Sequence, residues 1–99
     1  MDIQKMIKEA QELQKSLTQA QNELGKVEVV GTSGSGLIEI KITATGEIRD
    51  VKIKKEAVNP NDIETLEDLI LSAFKDANSK ALSISQEKLN KLTGGKGPL

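Results

Sequence analysis

Residues 31–44, "GTSGSGLIEIKITA", place three glycines in six residues directly before an alternating apolar segment. Ile38, Ile40 and Ile42 share one face of that segment and polar residues share the other, which is typical of a half-buried antiparallel strand. A glycine loop that binds phosphate needs a helix N-terminus after it. Here a strand follows, and neither G-x-x-x-x-G-K-S/T nor G-x-G-x-x-G occurs. We therefore predict a hairpin turn whose glycines supply positive φ angles, and no nucleotide site.

Two further strands flank this one. Residues 27–31, "VEVVG", predict the first strand, and residues 37–44 form the second. The third, "EIRDVKIK" at residues 47–54, follows the turn residues Thr45 and Gly46. Since both connections are tight, we predict a three-stranded antiparallel meander.

The N-terminal segment, residues 2–27, predicts a long helix that Gly25 ends. Its apolar residues recur in steps of three and four, with Gln, Lys and Glu between them. That spacing fits a helix facing its own core, and it also fits a coiled-coil seam against another long helix, which the heptad period favours. The seam consists of Ile3, Met6, Ala10, Leu13, Leu17, Ala20, Leu24 and Val27.

The C-terminal half predicts a second long helix over residues 62–92. The Asn59–Pro60 pair marks a turn before it, and Asn61 with Glu64 makes a capping box. Glycines at 94 and 95 stop the helix, and we expect residues 93–99 to form a flexible tail. The predicted apolar face consists of Leu66, Leu69, Ile70, Ala73, Phe74, Ala77, Ala81 and Ile84.

These elements predict one α+β domain over residues 1–99 with the order α-β-β-β-α. Helices of ~35 and ~45 Å would project beyond strands of only ~15–20 Å. Only 36% of the residues are apolar and one is aromatic, so the core is thin. Because projecting apolar stripes are unfavourable in water, we expect a homodimer. The residues predicted at its interface are Leu13, Leu17, Leu24 and Phe74.

The composition argues against catalysis. The chain has no Cys and no His, which removes thiolate nucleophiles, imidazole bases and the usual zinc ligands. Carboxylate pairs such as Glu64 with Glu67 lie at a predicted helix start, where acids are stabilising. We expect no enzyme activity, cofactor, metal or small-molecule substrate. No apolar run approaches the ~20 residues that span a membrane, and "MDIQKMIKEAQEL" lacks a signal-peptide core, so we expect a soluble cytoplasmic protein.

Charge is distributed unevenly along the second helix. The net charge of the chain is −1, which by itself indicates no nucleic acid. Residues 62–76 carry five acids and one lysine, a net of −4, whereas residues 77–99 carry four lysines and one glutamate, a net of +3. This polarity suits the helix macrodipole. It also places positive charge on the predicted overhang, where a dimer would present it twice.

Three stretches together resemble the YbaB/EbfC family of bacterial nucleoid-associated proteins. They are "VVGTSGSGLIEIKITATGEIRDVKI", "LEDLILSAFKDA" and "LTGGKGPL", and the similarity covers nearly all of the chain. The resemblance implies a dimer whose long helices project like tweezers. It also implies binding to double-stranded DNA, chromosome organisation in the nucleoid and, in some members, effects on transcription.

The resemblance places the DNA contacts on the first helix and on the second half of the last helix. The matching cations in this sequence are Lys5, Lys8, Lys15, Lys80, Lys88 and Lys91. The last helix has no arginine after "AFKDA", which departs from several relatives. Arg49 is the one arginine, and no aromatic platform for base stacking exists. Lysine against phosphate gives affinity with little sequence preference.

A different class of function stays open at this point. The chain could be a dimeric scaffold that binds another protein through its long helices, without nucleic acid. The net charge of −1 and the macrodipole interpretation of the lysines favour that alternative.

Overall fold

The computed structural model describes residues 2–92 and confirms the α-β-β-β-α order. Short 3₁₀ turns, Gly34–Gly36 and Lys55–Ala57, lie between the larger elements. The strands form one antiparallel sheet in the order β1-β2-β3, as predicted. The predicted tail at 93–99 lies outside the described residues. The helices and strands are α1 (Ile3–Leu24), β1 (Glu28–Ser33), β2 (Ile38–Thr43), β3 (Ile48–Ile53) and α2 (Ile63–Leu92).

The glycine segment is a turn, as its sequence predicts. Gly34, Ser35 and Gly36 have φ angles of 57°, 57° and 91°, all in the left-handed region that glycine adopts without strain. Strand β2 follows at Ile38, so no helix N-terminus faces the glycines. The first strand, however, does not end at Gly31 as predicted. It continues to Ser33, so Gly31 lies inside the strand and not at its end.

The core lies between one face of the sheet and α2. Alternate residues of β2 are buried, as predicted. Three alanines of α2 are buried at the centre of the interface, and the larger apolar residues of the predicted helix face pack around them. Small side chains bring the helix backbone close to the sheet. The buried cluster consists of Val29, Ile38, Ile40, Ile42, Ala73, Ala77 and Ala81.

Gly31 lies where α2 approaches β1 most closely. A Cβ atom on Gly31 would be 2.2 Å from the Ala73 carbonyl oxygen and 2.3 Å from the Ala77 nitrogen. Real Cβ atoms essentially never come within 3.0 Å of such atoms. Glycine is therefore required by the close approach of the helix, and not by a turn.

Two side chains of α2 reach over the outer edge of β1. The Thr32 backbone N–H donates to the Asp76 carboxylate at 3.0 Å, and the Lys80 ammonium donates to the Val30 carbonyl oxygen at 2.8 Å. Unpaired edge groups are sites where a further strand can add. These two bonds occupy a donor and an acceptor of the β1 edge, whereas β3, the other edge, has no neighbouring strand beyond it within residues 2–92.

The start of α2 differs from the predicted capping box. Asp62, and not Asn61, precedes the helix: its carboxylate accepts hydrogen bonds from the Thr65 backbone N–H at 3.2 Å and from the Thr65 hydroxyl at 2.6 Å. These bonds lower the pKa of Asp62, the hydroxyl bond most. Asn61 instead donates its backbone N–H to the side-chain oxygen of Asn59 in the preceding turn.

The core face of the sheet is only partly covered. The register Ile38–Ile53, Ile40–Val51 and Ile42–Ile48 puts the apolar residues of β3 on the same face as those of β2. Helix α2 packs over β1 and β2. Ile48, Val51 and Ile53 consequently remain 54%, 47% and 43% exposed. We call these three residues the β3 strip.

Helix α1 joins the molecule through its C-terminal half alone. Ala20 and Leu24 are buried, and Leu24 lies beside Ile84 of α2. Just over two turns earlier in α1, Ser16 lines the same surface cleft as Leu92, so the two helices run antiparallel at this junction. Residues 3–15, the α1 arm, are all exposed and extend ~20 Å beyond Leu92. The molecule is accordingly elongated, with extents of 70 × 26 × 17 Å.

Candidate nucleic-acid interface

The predicted lysines of α2 all lie beside carboxylates. The Lys80 ammonium is 3.2 Å from Asp76, and Lys91 is 3.8 Å from Glu87, each one helical turn away. Lys88 pairs with Glu23 of α1 across the helix junction. The positive segment at 77–99 is therefore partly neutralised by its own neighbours.

Among these carboxylates, Asp76 has a backbone partner as well as a lysine: it accepts a hydrogen bond from the Thr32 N–H and pairs with Lys80. The Thr32 backbone N–H contributes most to lowering its pKa, and the hydrogen bond and charge of Lys80 lower it further. The Asp76 carboxylate thus accepts from Thr32 and pairs with Lys80, which in turn donates to the Val30 carbonyl oxygen of β1. This arrangement gives Lys80 a structural role in addition to the predicted one.

The predicted lysines of α1 have different surroundings. Lys5, Lys8 and Lys15 all belong to the α1 arm and are exposed. Spacings of four residues to Glu9 and Glu12 would allow helical ion pairs. In the part of the chain that the structure describes, however, no carboxylate lies within 4.0 Å of these three ammonium groups. The arm lysines are thus the predicted cations that remain open to an external anion.

The charged residues of α1 are distributed unevenly around the helix. All three glutamates of the helix fall on one side, in line with its N-cap Asp2. The lysines Lys8 and Lys15 are centred roughly 80° away from the mean direction of the glutamates, since each residue turns the helix by roughly 100°. They share their side with amides and one hydroxyl, and one acid borders it: Glu12, which is four residues after Lys8 and three before Lys15. This side, the lysine-amide stripe, consists of Gln4, Lys8, Gln11, Lys15, Thr18 and Asn22.

The residues predicted at a dimer interface lie in three kinds of surroundings. Leu13 and Leu17 are 50% and 36% exposed on the apolar side of α1. Phe74 is half-buried at the margin of the core. Leu24 is only 3% exposed, so its own chain already covers it and leaves little for a partner to contact.

Sequence reasoning missed the β3 strip. The alternation in "EIRDVKIK" identifies a strand with one apolar face. It does not reveal that α2 lies over the other two strands and leaves this one uncovered. The signal that could have found it is the single line of alanines on α2, because a narrow helix face covers fewer strands.

Residues 2–92 contain neither a metal-binding cluster nor a membrane-spanning helix. No group of three or more acidic side chains is arranged to hold a metal ion there. Within the same residues, neither helix combines the length and the hydropathy that crossing a membrane requires.

Comparison with known proteins agrees with this architecture. A crystal structure of the uncharacterized protein HP0035 from Helicobacter pylori superposes with a TM-score of 0.85, covering 95% of this chain and 99% of that one. The two sequences are 18% identical, so this likeness concerns the fold alone.

Sequence relatives extend the comparison. A nucleoid-associated protein of Rhodococcus opacus is 42% identical over 96 residues, which are 97% of this chain and 85% of the relative. A nucleoid-associated protein of Corynebacterium glutamicum is 39% identical over 98 residues, covering 99% and 95% of the two chains. The profile of the YbaB/EbfC DNA-binding family matches residues 1–96. The chain therefore belongs to the YbaB/EbfC DNA-binding family, as the resemblance of its motifs predicted.

Proposed function

We propose that this single-domain protein binds double-stranded DNA as a homodimer, with little sequence preference, through lysines on its projecting helices. It would contribute to chromosome organisation in the nucleoid of the cytoplasm and to gene regulation. The observation that carries the proposal is the family membership, joined to an arm whose lysines form no ion pair within residues 2–92. The proposed DNA contacts are Lys5, Lys8, Lys15, Lys80, Lys88 and Lys91.

Dimerisation is supported by the exposed apolar surface. A stable interface buries about 800 Å² on each partner, mostly apolar at its centre. The β3 strip offers an apolar centre for such an interface, beside a strand edge that no further strand covers within residues 2–92, and Phe74 is half-buried at the margin of the core. The opposite edge at β1 is occupied by Asp76 and Lys80. A second copy therefore fits best on the β3 side, with Leu13 and Leu17 of the arm as a further contact.

Lysine accounts for affinity without strong selectivity. An ammonium is a point charge that binds phosphate oxygens at any sequence. The α2 lysines would exchange a carboxylate partner for a phosphate, and exposed ion pairs stabilise proteins by only about 0–1 kcal/mol. That exchange is therefore inexpensive, although the arm lysines need no exchange at all.

The test is a salt titration of DNA binding. Fluorescence anisotropy with several unrelated 30-bp duplexes should give similar affinities that fall steeply with salt. If four to six phosphates are contacted, log K should fall with log salt at a slope of about −4 to −5. Replacing Lys8, Lys80, Lys88 and Lys91 together by Gln should weaken binding to every duplex and make the slope shallower.

The charge-matched control replaces four lysines away from the proposed contacts by Gln. It keeps the same change in net charge, so a general field effect would appear in both variants. Undiminished binding in the first variant would remove these helices from the site. The control lysines are Lys52, Lys54, Lys55 and Lys75.

One observation favours the second candidate, a dimeric protein-binding scaffold. The three α2 lysines pair with acids of the same chain, and the net charge is −1. Absence of wild-type DNA binding at ~50 mM salt, where phosphate contacts are strongest, would support the scaffold instead. Retention on heparin but not on DNA would point the same way.

A further inference from the structure

We propose that the lysine-amide stripe of α1 is the face that meets the DNA duplex, with Lys8 and Lys15 on phosphates and side-chain amides, Gln11 foremost, at base edges. This inference rests on the proposed DNA binding and goes further in two respects. It selects one side of one helix among the proposed lysines. It also adds residues that carry no charge.

The charges of α1 explain why only one side of this helix can face DNA. The helix holds three lysines and three glutamates, so its net charge is zero and only one side of it can attract a polyanion. Glu9 lies roughly 140° and Glu12 roughly 80° from the centre of the stripe, since each residue turns the helix by roughly 100°. Around a helix of about 10 Å diameter this puts Glu9 about 9 Å from the centre of the stripe, close to one Debye length, and Glu12 about 6 Å from it, so Glu12 is the acid that weakens the attraction most. Lys5 lies on the same side of the helix as these glutamates, which makes it the weakest candidate of the three.

The packing of α1 leaves the stripe available. Ala20 and Leu24 face α2, and the apolar residues of the arm continue along that flank. The stripe lies roughly on the opposite side of the helix, and all of its residues are exposed. A partner protomer that covers the apolar side would therefore not hide it.

The dimensions and chemistry of the stripe match a major groove. From Gln4 to Asn22 the helix rises ~27 Å, close to the length of eight base pairs, and a groove about 12 Å wide admits an α-helix. Asn and Gln can bind adenine through N6 and N7, whereas the stripe has no arginine for guanine. We expect a weak preference for A·T-rich duplexes, about threefold, superimposed on phosphate binding.

The lysine part is tested with Lys8→Gln/Lys15→Gln against Lys54→Gln/Lys55→Gln. Both variants lose two charges, but Lys54 and Lys55 lie at the end of the sheet far from the junction of α1 with β1. For each arm that touches the duplex, the stripe variant should make the salt slope shallower by about 2 and lower affinity about thirtyfold near 0.15 M salt. The control should stay within about twofold of wild type, and Lys5→Gln should lose less than Lys8→Gln.

The amide part is tested with Gln11→Ala against Gln14→Ala. The two changes are chemically identical and one helical turn apart, but Gln14 lies next to the apolar side. Gln11→Ala should reduce the preference for A·T-rich over G·C-rich duplexes, while Gln14→Ala keeps it. Equal preferences in the two variants would remove the amides from the proposal.

Lysine acetylation in the presence of DNA, read by mass spectrometry, gives a measurement that needs no variant. DNA should protect Lys8 and Lys15 more than Lys5. If wild type binds DNA but the stripe variant behaves like its control, the face is wrong and the proposed function stands. If wild type binds no duplex at ~50 mM salt, both fail together.

Discussion

Replacing Gly31 by Ala tests how closely α2 packs on the sheet. The new Cβ would lie 2.2 Å from the Ala73 carbonyl oxygen, 2.3 Å from the Ala77 nitrogen and 2.6 Å from the Ala77 Cβ. Two of these atoms are helix backbone and the third is fixed to it, so no side-chain rotation can relieve the overlap. The whole helix must move away from β1.

The size of that movement sets the expected cost. Ordinary contact begins at 3.4 Å, so α2 must rise by about 1 Å. A gap of 0.5–1 Å forfeits roughly a quarter to a half of the dispersion energy of the contacts it opens. The contacts at risk are those of the buried alanines with the β2 isoleucines. Overpacking costs about 1–3 kcal/mol, and we expect the upper end, about 3 kcal/mol.

Gly36→Ala is the matched control. Gly36 has a φ of 91° but no atom within 4 Å of a built Cβ, so the change brings backbone strain without overlap. Its expected cost is about 1 kcal/mol. Urea unfolding followed by circular dichroism, at one fixed protomer concentration because association stabilises the fold, gives both values. If Gly31→Ala were no more destabilising than Gly36→Ala, the close approach of α2 would be wrong.

Four further predictions concern the dimer and the helix ends. Val51→Asp puts a charge on the β3 strip and should give a folded monomer in sedimentation experiments; a stable dimer would move the interface elsewhere. The double variant Leu13→Asp/Leu17→Asp should also weaken the dimer. If it dimerises as strongly as wild type, the α1 arm is not part of the interface. The pKa of Asp76 is lowered in the folded state, so the ionised carboxylate stabilises the fold above the ordinary pKa of 3.8, and this stabilisation is lost as pH falls below that value. The difference in urea midpoint between wild type and Asp76→Asn should therefore shrink from pH 6 to about 3. Asp62→Ala should lower the melting temperature while Asp62→Asn, which still caps, largely preserves it.

The periodicity of the sequence was sufficient for the elements and for most of the core. Alternation with period two identified β2, and the spacing of three and four identified α2 with all eight residues of its apolar face. The sequence ends the first predicted strand at Gly31 and groups this residue with the turn glycines, because a glycine needed for close approach looks the same in sequence as one needed for positive φ. Only the position of α2 over β1 distinguishes the two cases.

The candidate site was less accessible to sequence reasoning. Counting charges located the lysines, but ion pairs between elements depend on the packing of those elements. Lys88 meets Glu23, 65 residues away, because the C-terminal ends of both helices meet at one junction. The pairs Lys5–Glu9 and Lys8–Glu12 have suitable spacing, yet they do not form within residues 2–92, since exposed pairs gain little over hydration.

A net charge of −1 does not oppose the proposed binding, because attraction to a duplex is decided within about 8 Å at physiological salt. At longer range the chain is nearly neutral and would not be steered strongly toward DNA. At contact, the relevant charges are those of one helix face. On α1 the heptad spacing places Lys8 and Lys15 on one side, which Glu12 borders without pairing to either lysine within residues 2–92, while Glu23 faces α2 and is paired there. The junction of α1 with α2 that buries Leu24 therefore also pairs Glu23 with Lys88, so Glu23 does not repel phosphate as a free carboxylate would. The same junction fixes the orientation of α1, and with it the side of the helix on which Lys8 and Lys15 lie.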